Sequence, residues 1–239
     1  MNQSLEQILC ELNRLSNPEV IKAKAQKFGI IASNALGVYQ KDLQQLAKQI
    51  GLNNTLAVQL FDTGIYEARL LCSKIYHPKD ITEAQMDAWV RTFENWEICD
   101  SFCMGLFSKS EFALSKALEW SNNDAEFVKR AAFVLMASYG FANKKAENTV
   151  FQQFLPIIMH EAHDERKYVS KAINWALRNI GKRNAVLRLE SINTAKQLLK
   201  TENKAAIWVA KDALRELENA NAAILNYPKS LYGGRKRGQ

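Results

Sequence analysis

The sequence predicts an all-α fold, a superhelical solenoid of paired helices, from two observations. Helix-breaking residues are scarce, with 10 Gly and 4 Pro among 239 residues, or about 4% and 2% against typical usage of about 7% and 5%. A helical segment also recurs: FVKRAAFVLMASYG (127–140) aligns with YVSKAINWALRNIG (168–181), and WVAKDAL (208–214) follows after a similar interval. A period of about 40 residues, enough for two helices, indicates HEAT-like or armadillo repeats.

The remaining helices are predicted from segments of similar length and polarity. Two further inner helices, which would line the concave surface, are expected at 64–76 and 95–107. Shorter outer helices are expected between the inner ones, at 84–94, 110–120, 148–162 and 187–201.

Turn residues mark the breaks between these helices. They occur at Asn17-Pro18, at His77-Pro78 and at 121–124, where SNND also offers an N-cap. We therefore expect a single domain of HEAT-like repeats over 1–226, followed by a basic and flexible tail over 227–239.

The positive charge is concentrated in the second half of the chain. Residues 1–120 hold 12 Lys+Arg and 14 Asp+Glu, a net charge of −2, whereas residues 121–239 hold 20 and 11, a net charge of +9. This asymmetry suggests a polyanionic partner, either nucleic acid or an anionic surface.

Composition places the chain among soluble globular proteins, since 47% of residues are hydrophobic and 24% charged. No segment approaches the roughly 18 apolar residues of a membrane span, and the N-terminus lacks a secretory signal. We expect a cytoplasmic protein without membrane contact. The four cysteines include no CxxC pair and are predicted to be buried thiols.

A helical projection of residues 168–182 places a tryptophan outside the core. The apolar stripe excludes Trp175, which falls with Lys171, Arg178 and Lys182, while Arg183 follows at the helix end. An indole flanked by cations suits contact with a sugar or base beside phosphate. Packing under a neighbouring loop is the alternative.

The same projection of residues 95–107 leaves Trp96 about 100° from the core stripe, with Asp100 one turn later on the same face. A carboxylate on a surface that should attract phosphates is a functional candidate, although an ordinary solvated aspartate is the alternative. In residues 126–139 Arg130 lies at the margin of the stripe, where it could bind a phosphate or form a structural ion pair.

Neither a metal nor a cofactor is expected. His160 and His163 are spaced i, i+3, but they do not form HExxH and lack a third ligand at a recognised spacing. The chain contains no P-loop, GxGxxG or GxSxG motif, and no cysteine nucleophile with an evident histidine partner.

Six segments of the chain together resemble the AlkD-like DNA alkylation repair family, which comprises DNA glycosylases built from HEAT-like repeats. The resemblance covers residues 20–220. The segments are KAKAQKFGIIASNALGVYQKDLQQLAKQIG (22–51), TGIYEARLLCSKIY (63–76), NWEICDSFCMGLF (95–107), EFVKRAAFVLMASY (126–139), HDERKYVSKAINWALRNIGKRN (163–184) and WVAKDALREL (208–217).

The resemblance implies hydrolysis of the N-glycosidic bond of N3- or N7-alkylated purines in double-stranded DNA. It puts the family's catalytic aspartate on Asp100, the two tryptophans that contact the damaged nucleotide's backbone on Trp96 and Trp175, and the adjacent arginine on Arg130. The expected partner is thus alkylated duplex DNA, bound by a monomer that associates with the nucleoid. Four cations are expected to be exposed on the concave surface and to bind this DNA: Lys171, Arg178, Lys182 and Arg183.

The chemistry is consistent with so sparse a site. Alkylation makes the purine cationic, so the base can leave neutral without a general acid, and a carboxylate with two π faces can stabilise the oxocarbenium-like sugar. Two alternatives remain: a noncatalytic protein that binds DNA structures, and a HEAT-type scaffold that binds proteins.

Overall fold

The computed structural model describes residues 3–232, and every regular element between these limits is a helix. No helix in that range is both long and apolar enough to cross a membrane. The chain divides into two compact units, Met1–Phe112 and Ala113–Gln239. The all-α prediction is therefore confirmed for the described residues.

The first unit packs around helix α5, which contacts α1, α3, α4 and α7. Its α-helices, followed by a 3-10 turn at Phe107–Lys109, are α1 (Leu5–Arg14), α2 (Pro18–Phe28), α3 (Gln40–Ile50), α4 (Asn54–Asp62), α5 (Tyr66–Ile75), α6 (Glu83–Val90) and α7 (Trp96–Gly105).

Most helices of the first unit begin where a polar side chain satisfies their first amides. Ser4 forms a capping box with Gln7 at the start of α1. Asn17 caps α2, which begins at Pro18, because its side chain accepts a hydrogen bond from the Glu19 amide. The predicted break at Asn17-Pro18 is thus a helix start.

The second unit contains the repeats. Its helices, with a 3-10 turn at Trp120–Asn122, are α8 (Ala113–Glu119), α9 (Glu126–Ala142), α10 (Asn148–Gln152), α11 (Phe154–Glu161), α12 (Lys167–Gly181), α13 (Ala185–Leu198), α14 (Lys204–Leu217) and α15 (Lys229–Tyr232).

The repeated segments form one layer of the second unit, because α12 packs against both α9 and α14. Helix α13 packs against both α12 and α14, and α11 contacts α12 and α13. Gly181 permits the close approach of α12 and α14, since a Cβ there would lie 2.7 Å from a Leu217 methyl group. The alternation of inner and outer helices predicted from the sequence is confirmed in this unit.

Two local predictions are wrong. Residues 148–162 form two helices, because Pro156 has no amide proton and its ring would clash with the carbonyl of Gln152, where α10 ends. The SNND segment supplies no N-cap to α9: the helix follows Ala125 without a side-chain cap, and Asn123 instead accepts from the Ala125 amide.

Three of the four cysteines, Cys72, Cys99 and Cys103, are buried as predicted. Cys10 is exposed, because it lies about 200° around α1 from both Ile8 and Leu12, the residues that α1 buries.

The start of the predicted tail packs on the second unit. The Tyr227 amide donates to the Arg183 carbonyl (3.1 Å), and Asn184 Nδ2 donates to the Tyr227 carbonyl (2.8 Å). Tyr227-Pro228 is a cis peptide bond. Residues 233–239 of the predicted tail lie outside the described residues.

Candidate functional site

Helix α7 of the first unit positions Trp96 and Asp100 on successive turns. Asn95 starts the helix by accepting from the amides of the next residues, including that of Ile98 at 3.2 Å. The core side of α7, with Ile98 and Phe102, is fully buried. Trp96 and Asp100 are both half-buried, so the predicted position of this indole and carboxylate outside the core is confirmed.

The Trp96 ring is held in one orientation. Its Nε1–H donates to the Phe28 carbonyl oxygen at the end of α2 (3.0 Å). The ring lines a cavity of about 640 Å³ between α2, α3 and α7, together with Phe28 and Tyr39. Both of these aromatic side chains are exposed, so aromatic surface is open beside Trp96. Lys24 and Glu97 line the same cavity.

A partly buried charge network fixes the first turn of α7, where Glu97 follows Trp96. The Glu97 carboxylate accepts from Lys24 Nζ (2.8 Å), Gln40 Nε2 (3.0 Å) and the Tyr66 hydroxyl (2.9 Å). Burial and the neighbouring Glu97 charge raise the pKa of Tyr66 far above its usual range, so this hydroxyl keeps its proton. The network is a feature that the sequence analysis missed, because its members come from four separate helices.

Helix α12 of the second unit carries Trp175 and three of the predicted cations. Trp175 is half-buried and Lys171 is exposed, as expected for side chains outside the core. Arg178 and Lys182 are instead engaged by α14: the Glu216 carboxylate lies 2.6 Å from Arg178 Nη1 and 2.8 Å from Lys182 Nζ.

Both contacts are charge-assisted hydrogen bonds. Burial acts to raise the pKa of Glu216, but hydrogen bonds from Lys182 and Arg178 outweigh it and lower that pKa below its usual value. Two of the four predicted DNA-binding cations are therefore partly neutralised within the second unit.

The prediction that Arg183 is exposed is wrong, since the residue is only 2% exposed. Its guanidinium lies 4.1 Å from the centre of the Phe151 ring and donates to four backbone carbonyls. One carbonyl, that of Gly140, lies in the last turn of α9 and the other three lie in the loop that follows, where Ala146 accepts the shortest bond at 2.6 Å. Arg183 follows the end of α12 and reaches the end of α9. The carbonyls there have no helical partners, so they accept hydrogen bonds from the guanidinium.

Arg130, for which the sequence left both a phosphate contact and a structural ion pair open, is buried. Helix α9 is buried on all sides from Val128 to Ser138, and Arg130 is 6% exposed. Its Nη1 donates to the Tyr168 carbonyl in the first turn of α12 at 2.6 Å. The single-stripe projection failed because α9 packs against helices on more than one side.

A cleft that the sequence analysis missed lies between the first turns of α12 and α14. It has a volume of about 470 Å³ and is lined by Lys167, Lys171, Lys204 and Trp208, among others. The repeat alignment could have revealed this cleft. Its second copy begins with Tyr168 and its third with Trp208, so an aromatic residue stands at the same repeat position in two neighbouring helices.

The two histidines do not form a metal site. The His163 ring nitrogen contacts the His160 carbonyl at 2.5 Å, and His160 Nδ1 lies 2.8 Å from a Glu161 carboxylate oxygen. Across the described residues no group of three potential ligands could hold an ion.

Trp96 and Asp100 thus lie together on the first unit, whereas Arg130, Trp175 and the predicted cations lie on the second. Within the second unit Trp175, Arg178 and Lys182 share the exposed side of α12, while Arg130 and Arg183 are buried.

The fold is that of the HEAT-like repeat DNA glycosylases. A solved structure described as belonging to "a new family of proteins related to the HEAT-like repeat DNA glycosylases with affinity for branched DNA structures" superposes with a TM-score of 0.72 at 20% sequence identity, covering 89% of this chain and 95% of that one. The predicted HEAT-like repeat architecture is therefore confirmed. Residues 8–217 match the family model described as DNA alkylation repair enzyme, and the chain belongs to that family. A comparison with curated proteins gives no significant match.

Proposed function

We propose that the protein is a DNA glycosylase that excises N3- or N7-alkylated purines from double-stranded DNA in base excision repair. The observation that supports this most directly is the pair on α7, with Trp96 and Asp100 half-exposed on successive turns of a helix whose other side is core. An aspartate next to a fixed indole is the minimal arrangement for a reaction whose leaving group is already activated.

In the proposed reaction the bond between C1′ and the purine nitrogen breaks, and its electron pair leaves with the base, which becomes neutral. The Asp100 carboxylate stabilises the oxocarbenium-like sugar and orients a water molecule. The water oxygen bonds to C1′, and its proton passes to the carboxylate and then to solvent. No metal, cofactor or general acid is required.

Trp96 presents a ring of fixed orientation to the sugar and backbone of the damaged nucleotide, because its N–H is held by the Phe28 carbonyl. Trp175, half-buried on α12 of the second unit beside Lys171, contacts the DNA backbone in this proposal. Arg130 is a positioning residue in this scheme, since its guanidinium holds the first turn of the helix that carries Trp175.

The test is single-turnover release of 7-methylguanine or 3-methyladenine from methylated duplex DNA at saturating protein, which separates chemistry from binding. We expect the wild-type protein and Glu111→Gln to release the base, and Asp100→Asn to lose most activity. Glu111 is the matched control, because it is an exposed carboxylate of the same unit outside α7. An Asp100→Asn variant as active as wild type would eliminate the catalytic assignment.

A noncatalytic DNA-structure-binding role is the second candidate. It is favoured by the superposing structure, whose protein is described as having affinity for branched DNA. A wild-type protein that releases no cationic purine but binds forked DNA would establish this alternative.

A further inference from the structure

The first turns of α12 and α14 form a cleft with an unusual combination of side chains. Lys167, Lys171 and Lys204 supply three exposed ammonium groups, and Trp208 lies among them with 42% of its surface exposed. A single exposed aromatic side chain is common on protein surfaces, so the significance of Trp208 lies in the cations that surround it. Here an indole and several cations line the same open volume.

The cations of this cleft differ from those farther along the same helices. Arg178 and Lys182 share the Glu216 carboxylate, but within residues 3–232 none of the three cleft lysines is within ion-pair distance of a carboxylate. Lys167 and Lys204 are also the first residues of their helices, so the partial positive charge of each first turn adds to theirs. The ligand that this cleft suits is therefore anionic.

The cleft also suits a planar group. Its volume of about 470 Å³ is large enough for a nucleotide, and the open indole offers a π face. Aromatic side chains beside cations that follow the backbone are the arrangement by which proteins bind unpaired nucleotides, because each base has a face to stack. In a continuous duplex both faces of every base are already stacked on neighbours.

We propose that this cleft binds an unpaired DNA nucleotide, with the Trp208 indole stacked on the base and Lys167, Lys171 and Lys204 neutralising the flanking phosphates. The inference rests on the proposed DNA binding but not on catalysis. It predicts that the second unit prefers DNA with a single-stranded segment, such as a fork or flap, over a continuous duplex. Glu165 at the rim of the cleft opposes the phosphates and moderates the affinity.

The test compares the affinity of the full chain for three labelled DNAs by fluorescence anisotropy: oligothymidylate, a duplex, and the same duplex with an oligothymidylate flap. Trp208→Ala should weaken binding of the flap and of oligothymidylate about tenfold, with Trp208→Phe closer to wild type. Binding of the duplex should change by less than about twofold. Phe141→Ala, which removes an aromatic ring 49% exposed on α9, is the matched control and should change none of the three.

The charges give a second and independent readout. Lys167→Ala and Lys204→Ala should each make the slope of log affinity for oligothymidylate against log salt shallower by about 0.7, the value for one phosphate contact on a single strand. Lys196→Ala, on α13 and paired with Glu218, should leave the slope unchanged. Glu165→Gln should strengthen flap binding.

The outcomes separate the two proposals. Equal losses for duplex and flap in Trp208→Ala would assign the indole to a duplex interface and overturn the inference, as would no loss at all. Wild-type protein that binds the duplex as tightly as the flap also overturns it while leaving glycosylase activity to its own assay. Absence of base excision together with a Trp208-dependent flap preference would reject the catalytic proposal and retain this one.

Discussion

The two units differ in what they do with charge. In the first unit the charged residues beneath Trp96 form a closed network, in which Lys24 and two uncharged donors satisfy Glu97, and Asp100 lies one turn away. In the second unit the basic residues considered at the candidate site and the cleft fall into three groups. Arg130 and Arg183 are buried, Arg178 and Lys182 are paired with Glu216, and the cleft lysines are open.

This difference shows that the net charge of a segment overstates the positive charge that is available to bind nucleic acid. The +9 of residues 121–239 suggested a polyanionic partner, but not all of this charge is available to one, because the buried arginines contribute to folding and the paired cations are partly neutralised. The proposed chemistry at Asp100 and the proposed binding by the open cations should then be separable by mutation, because Asp100 is on one unit and these cations are on the other.

The largest effect is expected for Asp100→Asn. Loss of a preorganised charge facing the oxocarbenium should raise the barrier by about 3–4 kcal/mol, a fall of about 10²–10³ in single-turnover excision. Duplex affinity should be equal or higher, because a charge that repels phosphate is removed. Weakened binding with unchanged single-turnover excision would place Asp100 in the binding surface instead and break the division between the units.

Arg183→Ala should destabilise the protein by about 3 kcal/mol, measured by urea unfolding, because it removes a buried guanidinium that donates to four backbone carbonyls and packs on the Phe151 ring. Arg178→Ala is the control and should cost less than about 1 kcal/mol, since Arg178 is only half-buried. Equal costs would show that the buried and paired cations are not distinct groups.

The tryptophans of the two units should respond differently to conservative change. Trp96→Ala and Trp175→Ala should each raise the activation free energy of excision by about 1–3 kcal/mol, by analogy with stacking contacts. Trp96→Phe should lose more than Trp175→Phe, because only Trp96 uses its N–H to hold the ring, on the Phe28 carbonyl. The reverse order in single-turnover rates would contradict the fixed orientation of Trp96.

Acid should weaken the second unit through a buried ion cluster. Burial opposes the charged forms of Glu161 and Asp164, but hydrogen bonds from Lys129 and His160 to the former and from Arg166 to the latter lower both pKa values. Their stabilisation is thus present above the unfolded pKa and lost as pH falls through the folded values. The melting temperature should fall on acidification below about pH 4.5, and less steeply in Glu161→Gln. If the melting temperature of the variant fell as steeply with pH as that of the wild type, this cluster would not be the cause of the acid sensitivity.

The sequence predicted the repeats well because a repeat of two helices shows directly in the order of residues along the chain. Each single helical segment likewise shows that Trp96, Trp175 and Asp100 lie outside its apolar stripe. It failed where a side chain's environment comes from other helices. Arg130 and Arg183 look like surface cations until α9 is found buried on all sides and the carbonyls after it meet the end of α12. Likewise, the partner of Arg178 and Lys182 lies on the next repeat, so their pairing with Glu216 could not be read from α12 alone.

The smallest effect is expected in the salt dependence of duplex binding, where the paired and open cations can be compared directly. Lys171→Ala should make the slope of log affinity against log salt shallower by about 0.9, the value for one phosphate contact on duplex DNA. Arg178→Ala should change the slope less, because part of its charge is already compensated by Glu216. Glu216→Gln should have the opposite effect on duplex binding. Because it removes the shared carboxylate, it leaves Arg178 and Lys182 available to phosphate. Duplex affinity should therefore rise, and the slope of log affinity against log salt should become steeper. If Glu216→Gln weakened binding, the ion pairs would be holding the cations in a DNA-binding geometry rather than withholding them from DNA.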